Sequence, residues 1–485
     1  MKQVLHFING KFLESTSGKF YDNYNPATGK VISKIALGSE EDVDKAVEAA
    51  SEAMNGEWGN IKINDRIALL YALADEIDSR FDEFLEAETL DTGKPYTIAR
   101  HIDIPRGAAN FKVFADTMKS VADEAYQMDT PDGGIAMNYS RRYPKGVITV
   151  ITPWNLPFLL MTWKVGPALA CGNTVVVKAA ESTPTTTALL GEVMNKVGIP
   201  KGVFNVVHGF GKDIGDRLTS HPKVDAVTFT GSTPTGKRIM QSSALDLKHL
   251  SLELGGKNPA IIFADCDMKK AINETVRSVF ANSGQVCLGT ERVYVERPIF
   301  DKFVNKLKKA GENIKLGIQH DESSDMGPLI SKDHQEKVLS YYKLAKDLGA
   351  NVVLGGGSPK MENGLENGYW IDPTIWTGLS EDSAIVKEEI FGPCCHIAPF
   401  DTEEEAIKLA NDTEYGLAAT VFSENLSKAH RVAGQIDAGI VWVNSWFLRD
   451  LRTPFGGMKK SGIGREGGHH SLEFYTELKN ICIKM

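Results

Sequence analysis

Between Val147 and Leu254 the chain alternates short apolar, β-branched runs with amphipathic stretches, a rhythm that few folds accept. The runs begin at Val147, Thr174, Val203, Ala226 and His249, 23 to 29 residues apart, with helical periodicity in segments such as Pro184 to Val197. A parallel neighbour can be reached only through a crossover of a dozen or more residues, so this spacing specifies βαβ units and a parallel sheet. Val147-Ile-Thr-Val-Ile151 and Thr174-Val-Val-Val177 are apolar or β-branched at every position, which suits strands buried on both faces. The fold class is α/β, and a dinucleotide-binding sheet is its natural form. The usual glycine fingerprint is missing, because Gly209-Phe-Gly211-Lys-Asp-Ile-Gly215 has one residue too many and reads as a turn.

Gly231-Ser-Thr-Pro-Thr-Gly236-Lys237-Arg238 follows a strand and opens a helix, in the manner of a nucleoside-triphosphate loop. That loop needs Ser or Thr after its lysine to hold magnesium, and Arg238 has no lone pair to offer. Gly231 and Ser232 still present a helix N-terminus whose free N–H groups suit a pyrophosphate.

Two further segments carry chemistry. Phe280-Ala-Asn-Ser-Gly-Gln-Val-Cys287 sets one cysteine among small residues, where its thiol can meet a substrate. In His249-Leu-Ser-Leu-Glu253-Leu-Gly-Gly256 the period-two alternation reads as a strand. Its leucines share one face, and Glu253 projects from the other near the strand end. A thiol and a carboxylate in one site point to covalent catalysis followed by hydrolysis.

These two segments resemble the cysteine and glutamate signatures of the aldehyde dehydrogenase superfamily. Thr152-Pro-Trp-Asn155, Phe229-Thr-Gly231-Ser232, Glu388-Glu389-Ile-Phe391-Gly-Pro393 and Pro454-Phe-Gly-Gly-Met-Lys-Lys-Ser-Gly462 match that family in the same order. The resemblance implies Cys287 as nucleophile, Asn155 as oxyanion donor and Glu253 as the base that hydrolyses the thioester. That base argues against acyl transfer to coenzyme A. It also implies NAD as cofactor, with the diphosphate at Gly231 and Ser232 and the adenine ribose at Lys178 and Glu181. Glu389 would hold the nicotinamide ribose, and Phe391 and Trp154 would pack nearby. Ala179-Ala180 departs from the family's usual Pro-Ser. A carboxylate at Glu181 accepts hydrogen bonds from ribose hydroxyls and repels a 2′-phosphate, favouring NAD over NADP.

The family's architecture then predicts a Rossmann-like NAD-binding domain over residues 1–122 and 145–255, and an α/β catalytic domain over 256–465. A small β oligomerisation element would comprise 123–144 and 466–485, including the extended stretches Tyr126 to Tyr143 and Phe474 to Lys484. A strand edge left exposed favours pairing between subunits, so a homodimer or homotetramer is expected.

Composition sets the outer limits. A chain of 485 residues with 42% hydrophobic residues has room for two or three cores. A formal charge of −9 without a long basic run argues against a nucleic-acid partner. Met1 to Gly10 lacks the apolar core of a signal peptide, and apolar stretches such as Phe158-Leu-Leu-Met161 are too short to span a membrane, so a cytoplasmic protein is expected. The six cysteines show no disulfide or zinc spacing, and His469-His470 reads as surface, leaving no metal site.

Substrate choice is read from Trp446-Phe447-Leu-Arg449-Asp-Leu-Arg452-Thr-Pro454 and Asp103-Ile-Pro-Arg106. These segments resemble the branch of the family that oxidises 2-hydroxy- or 2-aminomuconic semialdehydes in aromatic-ring breakdown. The resemblance implies that Arg106, Arg449 and Arg452 grip a substrate carboxylate. A general aldehyde dehydrogenase acting on another aldehyde is the alternative.

Overall fold

The computed structural model describes all 485 residues. Its first sheet has eight strands, in the spatial order Gly462–Ile463, His249–Glu253, Ala226–Thr230, Val147–Ile151, Thr174–Lys178, Phe204–Val206, His6–Ile8 and Lys11–Leu13. The five central strands run parallel. Antiparallel strands close both edges. Strand order reverses between Val147–Ile151 and Ala226–Thr230, whose consecutive crossovers leave on opposite sides. Such a switch point opens a crevice beyond the carboxyl ends of the strands.

The helix Pro157–Ala170 lies directly behind that crevice and is buried along its whole length, with Pro157 in its first turn. Against it packs Ile104–Lys119, where a Cβ at Gly107 would stand 2.4 Å from the Phe158 ring. Asn110 fixes the contact by donating to the Leu159 carbonyl at 3.1 Å and to the Thr162 hydroxyl at 3.0 Å. A π-helical turn, Ala99–Asp103, precedes the second helix and leads into Arg106.

The second sheet has seven strands, in the order Asn351–Leu354, Thr374–Thr377, Cys394–Phe400, Thr290–Glu296, Asn258–Ile262, Ala418–Phe422 and Ile440–Val443. All but the first pairing are parallel. The chain returns to the first sheet at Gly462–Ile463, within the span 256–465 that the family's architecture predicts for the catalytic domain.

A three-stranded sheet, Thr476–Lys484, Ile135–Pro144 and Ala125–Asp129, stands apart from both. The stretch from Tyr126 to Tyr143 is thus a hairpin rather than one extended segment, turning at Thr130 to Gly134 with Gly133 at φ 83°. Phe474 and Tyr475 close the helix Gly468–Tyr475, and the final strand begins only at Thr476. No helix is long and apolar enough to cross a membrane.

Candidate active site

Cys287 ends a loop that leaves the helix Met268–Phe280 and enters the strand Thr290–Glu296. Asn282, Ser283 and Gly284 are successively left-handed, with φ of 51°, 59° and 71°. Two non-glycine residues in that region cost on the order of 1 kcal/mol each, so the surroundings must hold them. Ser283 donates to the Gly327 carbonyl at 2.7 Å, and Gln285 accepts the Ile330 N–H at 2.9 Å. A Cβ at Gly284 would lie 2.0 Å from the Gly392 oxygen, so the loop seats directly on residues 391–393. Burial, Glu253 and Glu389 push the Cys287 thiol up to about 12, against a lowering from Arg449. In the free protein the thiol is therefore protonated and must give up that proton before it attacks.

Asn155 sits in the turn between Val147–Ile151 and Pro157–Ala170, at the switch point. Its side chain donates to the Gln285 carbonyl at 3.0 Å, and its own carbonyl accepts from Asn282 at 3.0 Å and from Lys94 at 2.9 Å. Asn155, Cys287, Trp154, Gly231, Ser232, Glu389 and Phe391 all line one cavity between the sheets.

Glu253 ends its strand fully enclosed, and neither carboxylate oxygen has a hydrogen-bond partner. Burial and the neighbouring Glu466 raise it well above the ordinary carboxylate range, with Lys164 and Arg449 opposing. Gly456 leaves space for the carboxylate, since a Cβ there would stand 2.9 Å from Oε1. Behind it Lys164 donates to Glu466 at 2.6 Å and to Thr228 at 3.0 Å, and Ser251 donates to Glu466 at 3.1 Å.

Glu389 is held by the Gly256 N–H at 2.8 Å, and burial raises it to about 7. Phe391 stands at φ 63°, a strained value for an aromatic residue. Glu291, paired with Lys257, accepts the Ile390 and Phe391 N–H groups at 3.1 and 2.9 Å and so pins that turn. The Phe391 ring meets Trp154 edge-on at 5.4 Å. His334 packs on both rings and donates from Nε2 to the Phe391 carbonyl at 2.8 Å.

Lys178 and Glu181 pair at 2.8 Å beyond the strand Thr174–Lys178. Burial would raise Glu181, but Lys178 and the Gly211 N–H, which donates at 2.9 Å, hold it below the usual range and therefore ionised. Gly211 opens the helix Gly211–Ser220, so the segment read as a plain turn also walls a second cavity, which Lys178 and Glu181 line and which shares Trp154 and Gly231 with the first. Ser232 caps the helix Thr233–Ser243 by accepting the Thr235 N–H at 3.4 Å, while Arg238 forks onto Asp216 at 3.0 and 2.6 Å. His469 is exposed.

The three arginines separate. The Arg449 guanidinium is sandwiched between the rings of Trp163 and Phe455, at 4.1 and 3.9 Å. Its Nε and Nη2, and the Nε of Arg106, are buried without a hydrogen-bond partner, and neither residue forms a salt bridge. Burial and the nearby Arg106 lower Arg449 to about 9, with Glu466, Glu253 and Cys287 opposing, so Arg449 lies within reach of the charges of both Cys287 and Glu253. Arg452 does not join them. Its side chain is 80% exposed and forked onto Asp450, two residues away, which removes it from the predicted substrate contacts.

Sequence reading passed over Lys94, Lys164, Glu466, Lys257, Glu291 and His334. A further apolar cavity, walled by Ile98, Ile102, Phe280, Val286, Trp446 and Phe447, adjoins the cysteine loop.

Residues 12–481 match the model of the aldehyde dehydrogenase family. The chain is 64% identical to a 2-hydroxymuconic semialdehyde dehydrogenase of Pseudomonas sp. (strain CF600), over all of both chains. It is 52% identical to a 2-aminomuconic 6-semialdehyde dehydrogenase of Pseudomonas sp., covering 100% of this chain and 99% of the relative. Among solved structures, the NAD+ complex of an aldehyde dehydrogenase from Bacillus cereus superposes with a TM-score of 0.96 at 41% identity, covering 100% of this chain and 97% of that one.

Proposed function

The chain belongs to the aldehyde dehydrogenase family and is an NAD-dependent aldehyde dehydrogenase, and from that premise we propose that it oxidises a six-carbon, carboxylated muconic semialdehyde, 2-hydroxy or 2-amino, to the dicarboxylic acid during aromatic-ring breakdown. The observation that carries this reading is the pair Arg106 and Arg449, two half-buried cations with shielded, unbonded guanidinium nitrogens and no salt bridge, of which Arg449 lies near Cys287 and Glu253. Buried charges are ordinarily paired. A substrate carboxylate supplies the missing partner, and a planar guanidinium fork matches it.

In this reading Cys287 attacks the aldehyde carbon, and the Asn155 amide and the Cys287 N–H receive the oxyanion. When bound, NAD would supply the hydride acceptor. Glu253 serves as the base that takes a proton from the water attacking the thioester, which releases the carboxylic acid and the Cys287 thiol. The cavity fits the cofactor: Glu181 is an ionised acceptor for ribose hydroxyls, and the helix behind Ser232 offers N–H groups to a diphosphate. Lys178 and Gly231 complete that side, and Glu389, Phe391 and Trp154 line the side facing the thiol.

The first sheet then serves as the NAD-binding domain and the second as the catalytic domain. The three-stranded sheet exposes Tyr126, Met128, Leu478 and Ile483, which favours its use in a homodimer or homotetramer. Six free cysteines suit the reducing cytoplasm.

The test compares kcat/KM for both semialdehydes with that for a neutral aldehyde of similar length, following NADH absorbance. Preference for the carboxylated substrates, lost entirely in Cys287→Ala, supports the reading. Equal efficiency would leave a general aldehyde dehydrogenase.

A further inference from the structure

Lys94 lies just beyond the helix Phe81–Thr92, after Gly93, whose φ of 71° ends the helix in the left-handed region. Lys94, Asp103 and Glu88 form a cluster sealed from solvent. The Lys94 ammonium donates to Asp103 at 2.6 Å, lies 3.6 Å from Glu88, and sends its remaining short bond, at 2.9 Å, to the backbone carbonyl of Asn155. Burial raises the Glu88 carboxyl well above its ordinary range, and the short contact of the Lys94 ammonium is with Asp103.

The Asn155 carbonyl is gripped from two directions. Asn282 reaches it from the cysteine loop at 3.0 Å, and Lys94 reaches it at 2.9 Å from beyond the helix Phe81–Thr92. A buried ion pair often adds little stability over an apolar replacement. Its consequence here is geometric, because it fixes the backbone of the residue whose amide donates to the cysteine loop at Gln285 and lines the same cavity as Cys287. Asp103 also closes the π-helical turn, three residues before Arg106. One charged link therefore joins the segment carrying the substrate-facing arginine to the turn carrying the oxyanion donor.

We propose that Lys94 and Asp103 are positioning residues for Asn155, setting its amide relative to Cys287. The proposal rests on the oxyanion role given to Asn155 above. Removing one oxyanion donor typically costs about 10² to 10³ in rate. Loosening it through Lys94→Met should cost part of that, about 10- to 100-fold in the rate of the NADH burst, with NAD affinity unchanged.

The deciding experiment is a double-mutant cycle on the full-length enzyme, with burst kinetics, NAD titration and thermal melts for each variant. In an Asn155→Ala background, Lys94→Met should change the burst rate by no more than about twofold, because the group it positions is gone. A full loss multiplying in both backgrounds, or an unchanged burst in Lys94→Met alone, overturns the positioning role while leaving the oxyanion assignment intact. An unchanged burst in Asn155→Ala overturns both. Should Lys94→Met fail to bind NAD, Asp103→Asn, which keeps the side-chain volume and removes the counter-charge, is judged by the same cycle.

Discussion

Replacing Arg449 by methionine separates the charge of this residue from its packing. The side chain fills a slot between Trp163 and Phe455, ring centroids 4.1 and 3.9 Å from the guanidinium carbon, and a thioether occupies such a slot with little loss of contact. What disappears is a cation with two unused donors, Nε and Nη2. Charge-assisted hydrogen bonds contribute about 1.5 to 3 kcal/mol each, and about 1.4 kcal/mol is a factor of ten. Arg106 remains to hold the anion, so the loss should correspond to roughly one such bond, about 10- to 100-fold in kcat/KM for a muconic semialdehyde and mostly in KM. The free enzyme should melt at an equal or higher temperature, since the like charge near Arg106 is gone. A neutral aldehyde of similar length is the control. It should be assayed at alkaline pH, because Arg449 also lowers Glu253 and its removal would otherwise slow every substrate. Equal losses on both aldehydes, or a fall in melting temperature large enough to account for the activity, would show that Arg449 only fills space, and the carboxylate argument would fail.

Glu253→Gln should release about one NADH per active site in a burst and then turn over slowly, with a thioester on Cys287 seen by mass spectrometry. Glu253 raises the Cys287 thiol, so its removal makes the thiolate easier to form, and a missing burst would instead assign Glu253 to thiol activation. Glu181→Ser should narrow the preference for NAD over NADP by removing an ionised carboxylate from the ribose side, and equal use of both cofactors by the parent enzyme would refute that role. Thermal stability of the free enzyme should fall as pH rises above 6.5. Burial raises Asp91 and Glu389 to about 7 and Glu88 higher still, so the folded chain keeps protons that the unfolded chain released near pH 4, and stability declines until the folded-state values are passed. Below pH 6.5 the buried His6, His334 and His396, lowered to about 4 by desolvation, act in the opposite sense, since the unfolded chain takes up protons that the folded chain refuses. A melting temperature that climbs steadily from pH 6.5 to 8 would contradict this, and Glu88→Gln should flatten the decline.

The strand rhythm from Val147 to Leu254 exposed the first sheet because each crossover is local, and a run of β-branched residues has few other uses. The switch point in strand order was hidden, since which side a crossover takes leaves no trace in periodicity. Glu253, Cys287 and Asn155 stood out through short motifs, whereas Lys164 and Glu466 lie 302 residues apart and meet only when the strand Gly462–Ile463 docks on the first sheet. Glu291, Lys257 and Lys94 were invisible for the same reason: their partners are backbone groups or charges brought in by another element, and a lone lysine or glutamate otherwise reads as a solvated face. The arginines show where a local rule would have helped. Arg449 and Arg452 share a loop whose left-handed Asn444 and Phe447 break any periodicity, so spacing cannot say which one turns inward. Asp450 can. It accepts the Arg452 backbone N–H at 2.9 Å and forks onto the same residue's guanidinium, a compact turn within a single loop. That turn satisfies Arg452 in water and leaves Arg449 as the cation without a local partner. An arginine with a carboxylate two residues away needs no ligand, and one whose guanidinium is shielded without a salt-bridge partner does.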